Sequence, residues 1–190
     1  MSDPHEPDSR IVYVRFFAKV DNASIGNLIT TVEEKLGEGF KRFMLLISSP
    51  GGKVSAGLTG YNFFKGIPAE VQTFNLGNAD SIAAVLYCAG VKRYCVPQGR
   101  FLLHGVTAHL PGGAFDEKSL NERVKGLQSD RLTISEIIAR TCHRPLEAVE
   151  HDMLQGTVLN AREAMAYGLV HEIREQIFES GATIVSVPSI

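Results

Sequence analysis

Five consecutive apolar residues, Phe43-Met44-Leu45-Leu46-Ile47, stop abruptly at Ser48-Ser49-Pro50-Gly51-Gly52. Successive side chains of a strand point to opposite faces, so an uninterrupted apolar run needs cover on both. That need selects a layered α/β fold, and the flanking segments supply the layers. Residues 11–17 and 71–76 read as further strands. Ile25, Leu28, Ile29, Val32 and Leu36 repeat at helical spacing, and Gly37 and Gly39 end that helix. A second helix fits residues 54–65. The order β–α–β–α–β–α predicts a parallel sheet flanked by helices, with ligands at the carboxyl ends of the strands.

Composition narrows the class of partner. The net charge of −2 leaves no electrostatic footprint for nucleic acid. No apolar run approaches the ~20 residues of a membrane span, so no membrane partner is expected. The polar start, MSDPHEPDSR, lacks the apolar core of a secretory signal. Residues 1–10 read as a loose tail, with a single domain over 11–190. Cys88, Cys95 and Cys142 are an odd set without metal-type spacing. Buried thiols, a cytoplasmic location and no metal or cofactor in the chain are the expectation.

Two glycine-containing turns then fall on one edge of the sheet: Ser48–Gly52, and Gly77-Asn78-Ala79-Asp80-Ser81. Glycine lets the backbone aim N–H groups into a crevice between such turns. Ser81 opens the small and apolar run 82–89, read as a helix. Its hydroxyl either caps that helix or serves as a nucleophile beside the unpaired N–H groups of the first turn. Neither turn is a P-loop or a GxSxG elbow. Short strands are expected at 93–96 and 101–103, the second closed by His104. His104 is either a core histidine or a general base at a strand end. Residues 105–114 read as a flexible extended segment. From Asp116 runs a helix of more than twenty residues, lying along the sheet or projecting onto another subunit. Pro145 opens another helix that carries Asp152. Asn160 and Glu163 form a capping-box pair, residues 169–173 read as a strand, and the tail 181–190 reads as irregular.

The run ISSPGGKVSAGLTGYNFF, then GNADSIAAVLYCAGVKRYCVPQGRFLLH, then EHDM and LNAREAMAYGLV, resembles the ClpP family of serine peptidases. The likeness extends from about residue 11 to residue 173. It implies the crotonase-like ClpP fold of β–β–α units. Residues 112–141 would be a projecting strand–helix handle and 174–190 a C-terminal tail. It implies a catalytic triad of Ser81, His104 and Asp152, an oxyanion hole from the N–H groups of Gly52 and Ile82, and substrate pairing beside Gly112 and Gly113. It further implies a homo-oligomeric barrel of two heptameric rings, peptide or unfolded-protein substrates, and a Clp-type ATPase as the only route by which ATP enters. The chain departs from the family pattern at Asp80 and Ile82 around the serine, at Gly105-Val106 after the histidine, and in its short front segment. Two other readings stay open: a Ser–Lys peptidase with Lys53 or Lys92 as base, and a catalytically silent ring-forming member.

Overall fold

The apolar run becomes the middle of β2 (Arg42–Ser49), and the computed structural model describes residues 10–107 and 112–188. Along β2 the side chains divide as the pleat requires. Phe43, Leu45 and Ile47 enter the larger core, beneath the helices. Met44 and Leu46 enter a second cluster on the other face, with Tyr13, Phe74 and Tyr94.

Around β2 the chain follows the expected alternation. β1 (Ile11–Phe16) leads to α1 (Asn22–Gly37), α2 (Val54–Gly66) follows β2, and β3 (Glu70–Asp80) precedes α3 (Ile82–Tyr87). Next come β4 (Lys92–Cys95), β5 (Arg100–Leu103), α4 (Glu117–Cys142) and α5 (Leu146–Gln155), then β6 (Thr157–Asn160), α6 (Ala161–Tyr167), β7 (Glu172–Ile173) and β8 (Thr183–Ser186). The strand order is β6-β5-β3-β2-β1-β8, with β4 beside β3 and β7 beside β4. Every pairing is parallel except β5 with β6. Local chemistry sets the helix starts. The Asp21 carboxylate accepts from Ala23 and Ser24 N–H ahead of α1, Asp116 accepts from Ser119 N–H ahead of α4, and Asn160 with Glu163 completes a capping box at α6.

The structure departs from the sequence reading in four places. β3 does not stop at residue 76 but runs to Asp80, because it changes partner on the way. Gln72 to Asn75 pair with β4, and Asn78 to Asp80 pair with β5. Buried Asn75 bridges that fork: its Nδ2 donates to the Arg100 carbonyl and its Oδ1 accepts from the Gly77 N–H. The strand expected at 169–173 shrinks to Glu172–Ile173, since Leu169 and Val170 turn their N–H groups back to the Ala164 carbonyl and close α6. Part of the supposedly irregular tail is β8, which pairs with β1 in parallel, Tyr13 opposite Ile184. It covers an edge that would otherwise expose unpaired backbone groups. Finally, residues 112–116 carry no strand, while residues 1–9, 108–111 and 189–190 lie outside the described residues.

α4 is two helices in one by environment. Its buried side chains begin only at Ile134, and the preceding turns leave Leu120, Val124 and Leu132 exposed. Its end is tied to the body by Arg93, 6% exposed. That guanidinium donates to the carbonyls of Gly90, Thr141, Gly168 and Leu169. The acceptors lie at or just beyond the carboxyl ends of α3, α4 and α6, where helix dipoles favour a cation. No helix among the described residues is long and apolar enough to cross a membrane.

All three cysteines are buried and unpaired. Burial pushes the Cys88 thiol from an ordinary 9.0 up to about 11 and Cys95 up to about 12. Unfolded thiols lose their protons first, so the folded state holds more protons and stability must fall with rising pH. Urea denaturation is expected to show a falling midpoint from about pH 9 upward, and Ellman's reagent is expected to modify the thiols only after unfolding. Rapid modification of the native protein would contradict that burial.

Candidate active site

The serine and the histidine meet through strand register. β3 and β5 run parallel with Asp80 opposite Leu102, and the Ser81 N–H donates to the Leu102 carbonyl at 2.7 Å. His104 follows two residues later, at the same end of the sheet. Ser81 and His104 accordingly line one cleft of about 720 Å³, together with Gly52 and Lys53. They also share a narrow recess of about 50 Å³ whose walls include Leu103, Ile134, Ile138 and Met153. Among the described residues no hydrogen bond joins the two side chains, a looseness common in ligand-free serine sites.

Ser81 has φ 57° and ψ −129°, a region that L-residues seldom occupy and that costs about 1–3 kcal/mol. It sits at the N-cap position of α3, yet its side chain makes no capping hydrogen bond. The capping reading therefore fails on geometry. The next helical turn offsets the strain: Ile82, Val85 and Leu86 are fully buried, each contributing about 1.5–3 kcal/mol. Buried Ile82 holds the helix in place, and its N–H, the first of α3, has no acceptor within the helix.

The opposing turn is fixed by a short parallel bridge between Val20 and Gly52. Val20 N–H donates to the Gly51 carbonyl at 2.8 Å, and Lys53 N–H donates to the Val20 carbonyl at 2.7 Å. In such a bridge the central residue turns its own N–H away from the partner strand, so the Gly52 N–H takes no hydrogen bond among the described residues. Only glycine fits here. A Cβ on Gly51, at φ +83°, would stand 2.7 Å from the Ser81 Cβ, and one on Gly52 would stand 2.1 Å from the Val20 carbonyl oxygen.

Asp80, beside the serine, is 4% exposed. Its Oδ2 accepts from Arg100 at 2.8 Å and from Asn78 at 2.9 Å, and Asn78 in turn accepts from Ser48. The carboxylate is thus engaged in a polar row across β2, β3 and β5, and it does not line the cleft. Its Oδ1 is buried without a partner among the described residues.

Asp152 has its side-chain partners elsewhere, in Tyr167 and Arg144. Met153 faces the recess, and one residue back along a helix points about 100° away. The Asp152 Oδ2 accepts from the Tyr167 hydroxyl at 2.8 Å and lies 3.9 Å from Arg144. Burial, then the bond to Asp152, raises the Tyr167 hydroxyl pKa. Among the described residues no hydrogen bond or ion pair links Asp152 to His104. Gly112 and Gly113 are exposed and line neither the cleft nor the recess. What the sequence did not disclose was Val20, an apolar residue whose backbone holds the glycine turn. Its only signal was its place between the first strand and the Asp21 cap.

Gly51→Ala is expected to lower the thermal midpoint and to abolish any reaction at Ser81, since left-handed strain of about 1–2 kcal/mol adds to the clash. Gly26→Ala, in open space on α1, is expected to stabilise by about 0.5–1 kcal/mol. Thermal denaturation of both variants checks the contrast.

The family model for Clp protease matches residues 19–177. The ATP-dependent Clp protease proteolytic subunit 2 of Thermobifida fusca (strain YX) is 31% identical over 157 residues, covering 82% of this chain and 74% of that protein. A solved structure, a point mutant of ClpP1 from Listeria monocytogenes, superposes with a TM-score of 0.77 at 23% identity, covering 86% of this chain and 91% of the other. That superposition gives the fold, which is the crotonase-like ClpP fold. With a match over most of its length and a relative of this similarity, the chain belongs to the Clp protease family.

Proposed function

We propose that the protein is a serine endopeptidase with Ser81 as nucleophile and His104 as general base. The observation that carries this reading is the backbone of Ser81: a strained, uncapped serine whose hydroxyl shares a cleft with a histidine. Strain at a strand-to-helix turn persists only where surrounding packing enforces it, and such positions cluster at reactive sites.

The chemistry has two halves. His104 takes the Ser81 proton as the oxygen attacks a peptide carbonyl. The N–H groups of Gly52 and Ile82 hold the oxyanion. Collapse expels the amine, which takes the proton from His104, and an ester on Ser81 remains. Water then attacks the ester with His104 accepting its proton, and that proton returns to Ser81 as the carboxylic acid leaves. The apolar walls of the recess suit an apolar side chain next to the cleaved bond.

The oligomeric and ATP-linked parts rest on the family and on the name of the Thermobifida relative, a proteolytic subunit of an ATP-dependent protease. The exposed apolar positions Leu120, Val124 and Leu132 on the projecting half of α4 suit burial against a second copy in a ring assembly. Peptides or unfolded chains would be the substrates, delivered by a Clp-type ATPase. A Ser–Lys mechanism is the competing reading, because Lys53 lines the same cleft.

Peptidase kinetics separate the two. His104→Ala is expected to lower the acylation rate of Ser81 at least about a hundredfold, with Lys53→Ala close to wild type. The reverse order would assign the base to Lys53. Equal rates for Ser81→Ala and wild type would dismiss the nucleophile.

A further inference from the structure

Serine–histidine sites ordinarily place a carboxylate behind the histidine, where it fixes the tautomer and stabilises the imidazolium. Asp152 makes its side-chain contacts with Tyr167 and Arg144 instead, and strand register shows which corner lies next to His104. β5 and β6 are antiparallel, with Phe101 opposite Leu159, Leu102 opposite Val158 and Leu103 opposite Thr157. Both strands end at that pair, and the next residues along are His104 after β5 and Gly156 before β6. Residues directly opposite in such a pair have Cβ atoms about 4.5–5.5 Å apart, within reach of a short carboxylate. Gly156 caps α5 with φ 73° and ψ 58°, and a Cβ built there meets no atom within 4 Å. The position is open, its positive φ strains any side chain placed there, and this chain supplies none.

We propose that His104 works as a base without a carboxylate partner, and that residue 156, rather than Asp152, is the position from which one would orient it. This deepens, and rests on, the reading of Ser81 and His104 as nucleophile and base. Asp152 belongs instead to a structural group with Tyr167 and Arg144. The Arg144 guanidinium stacks 4.2 Å from the Tyr167 ring centroid, and Thr157 Oγ1 donates to the Asp152 carbonyl. This group fixes the corner between α5 and β6. The remaining charges around the cleft are Lys19 and Asp21 before α1, Lys53 before α2, and Arg123 and Asp130 on α4. Of the two carboxylates there, neither forms a hydrogen bond or ion pair with His104 among the described residues.

The consequence is a slow catalyst. In serine–histidine–aspartate sites, losing the aspartate function lowers kcat by about 10⁴. Asp tolerates the left-handed conformation better than most residues, so Gly156→Asp can be made with Gly156→Asn as the uncharged control.

Two readouts on the assembled protein test the idea. Histidine C2 hydrogen–deuterium exchange, read by mass spectrometry, gives the His104 pKa without requiring Ser81 to react. Labelling of Ser81 by a fluorophosphonate gives the acylation rate across pH. Gly156→Asp is expected to raise the His104 pKa by about one unit or more, to raise the plateau of labelling at least about tenfold, and to move its acid limb to higher pH. Gly156→Asn should do none of these, and Asp152→Asn and Asp130→Asn should leave the His104 pKa unchanged. An unmoved His104 pKa in folded Gly156→Asp overturns the proposal, as does a lowered His104 pKa in Asp152→Asn or Asp130→Asn. The expected pKa pattern with no labelling of Ser81 in any variant supports the placement and overturns instead the nucleophile reading.

Discussion

The hydrogen bond from the Ser81 N–H to the Leu102 carbonyl, 2.7 Å long, governs how β3 hands over to α3. It closes the last rung of the β3–β5 ladder, the pairing of Asp80 with Leu102. That rung ties down Ser81, where φ turns positive and α3 starts. Because the pairing is parallel, it also lays the carboxyl end of β5 beside the serine, which delivers His104. The fork that makes room for β5 depends on Asn75, whose side chain satisfies backbone groups on both sides of the gap. A buried apolar residue there would leave those groups unpaired, at about 1–3 kcal/mol each.

The opposite wall of the cleft is fixed by a different device. Val20 clamps the glycine turn through its backbone, using the carbonyl of Gly51 and the N–H of Lys53, so the Gly52 N–H is turned away from Val20. The two free N–H groups, of Gly52 and Ile82, thus come from separate elements, each held by its own parallel pairing. Farther out, Arg93 gathers carbonyls at the ends of three helices. A buried cation without a carboxylate would be costly alone; convergent carbonyls and helix dipoles replace the counter-ion. The buried end of α4, which walls the recess with Ile134 and Ile138, is anchored through this same cluster.

The element order was legible because two signals are local. An apolar run bounded by glycines has few folds open to it, and residues such as Asp116 and Asn160 mark helix starts directly. The serine and the histidine stood out because each follows an apolar strand. The surroundings of His104 did not, because register between distant strands is not written in local spacing: only the pairing of β5 with β6 shows that the two strands end together, one before His104 and the other after Gly156. β8 escaped notice for a related reason: a four-residue strand has no periodicity of its own and forms because the β1 edge is open. The Ser81 cap and the Ser81 nucleophile predict the same sequence pattern, and only the backbone dihedral and the missing cap bond separate them.

The central claim is that the strained turn at Ser81 aims its oxygen between two unpaired N–H groups. A crystal structure of the protein after reaction with a fluorophosphonate tests this most directly, because the phosphonyl oxygen occupies the position of the oxyanion. The expected result is phosphorus bonded to Ser81 Oγ, with that oxygen about 2.7–3.1 Å from both the Gly52 and Ile82 nitrogens. A phosphonyl group on another residue, or one on Ser81 with its oxygen turned away from both nitrogens, would contradict the account.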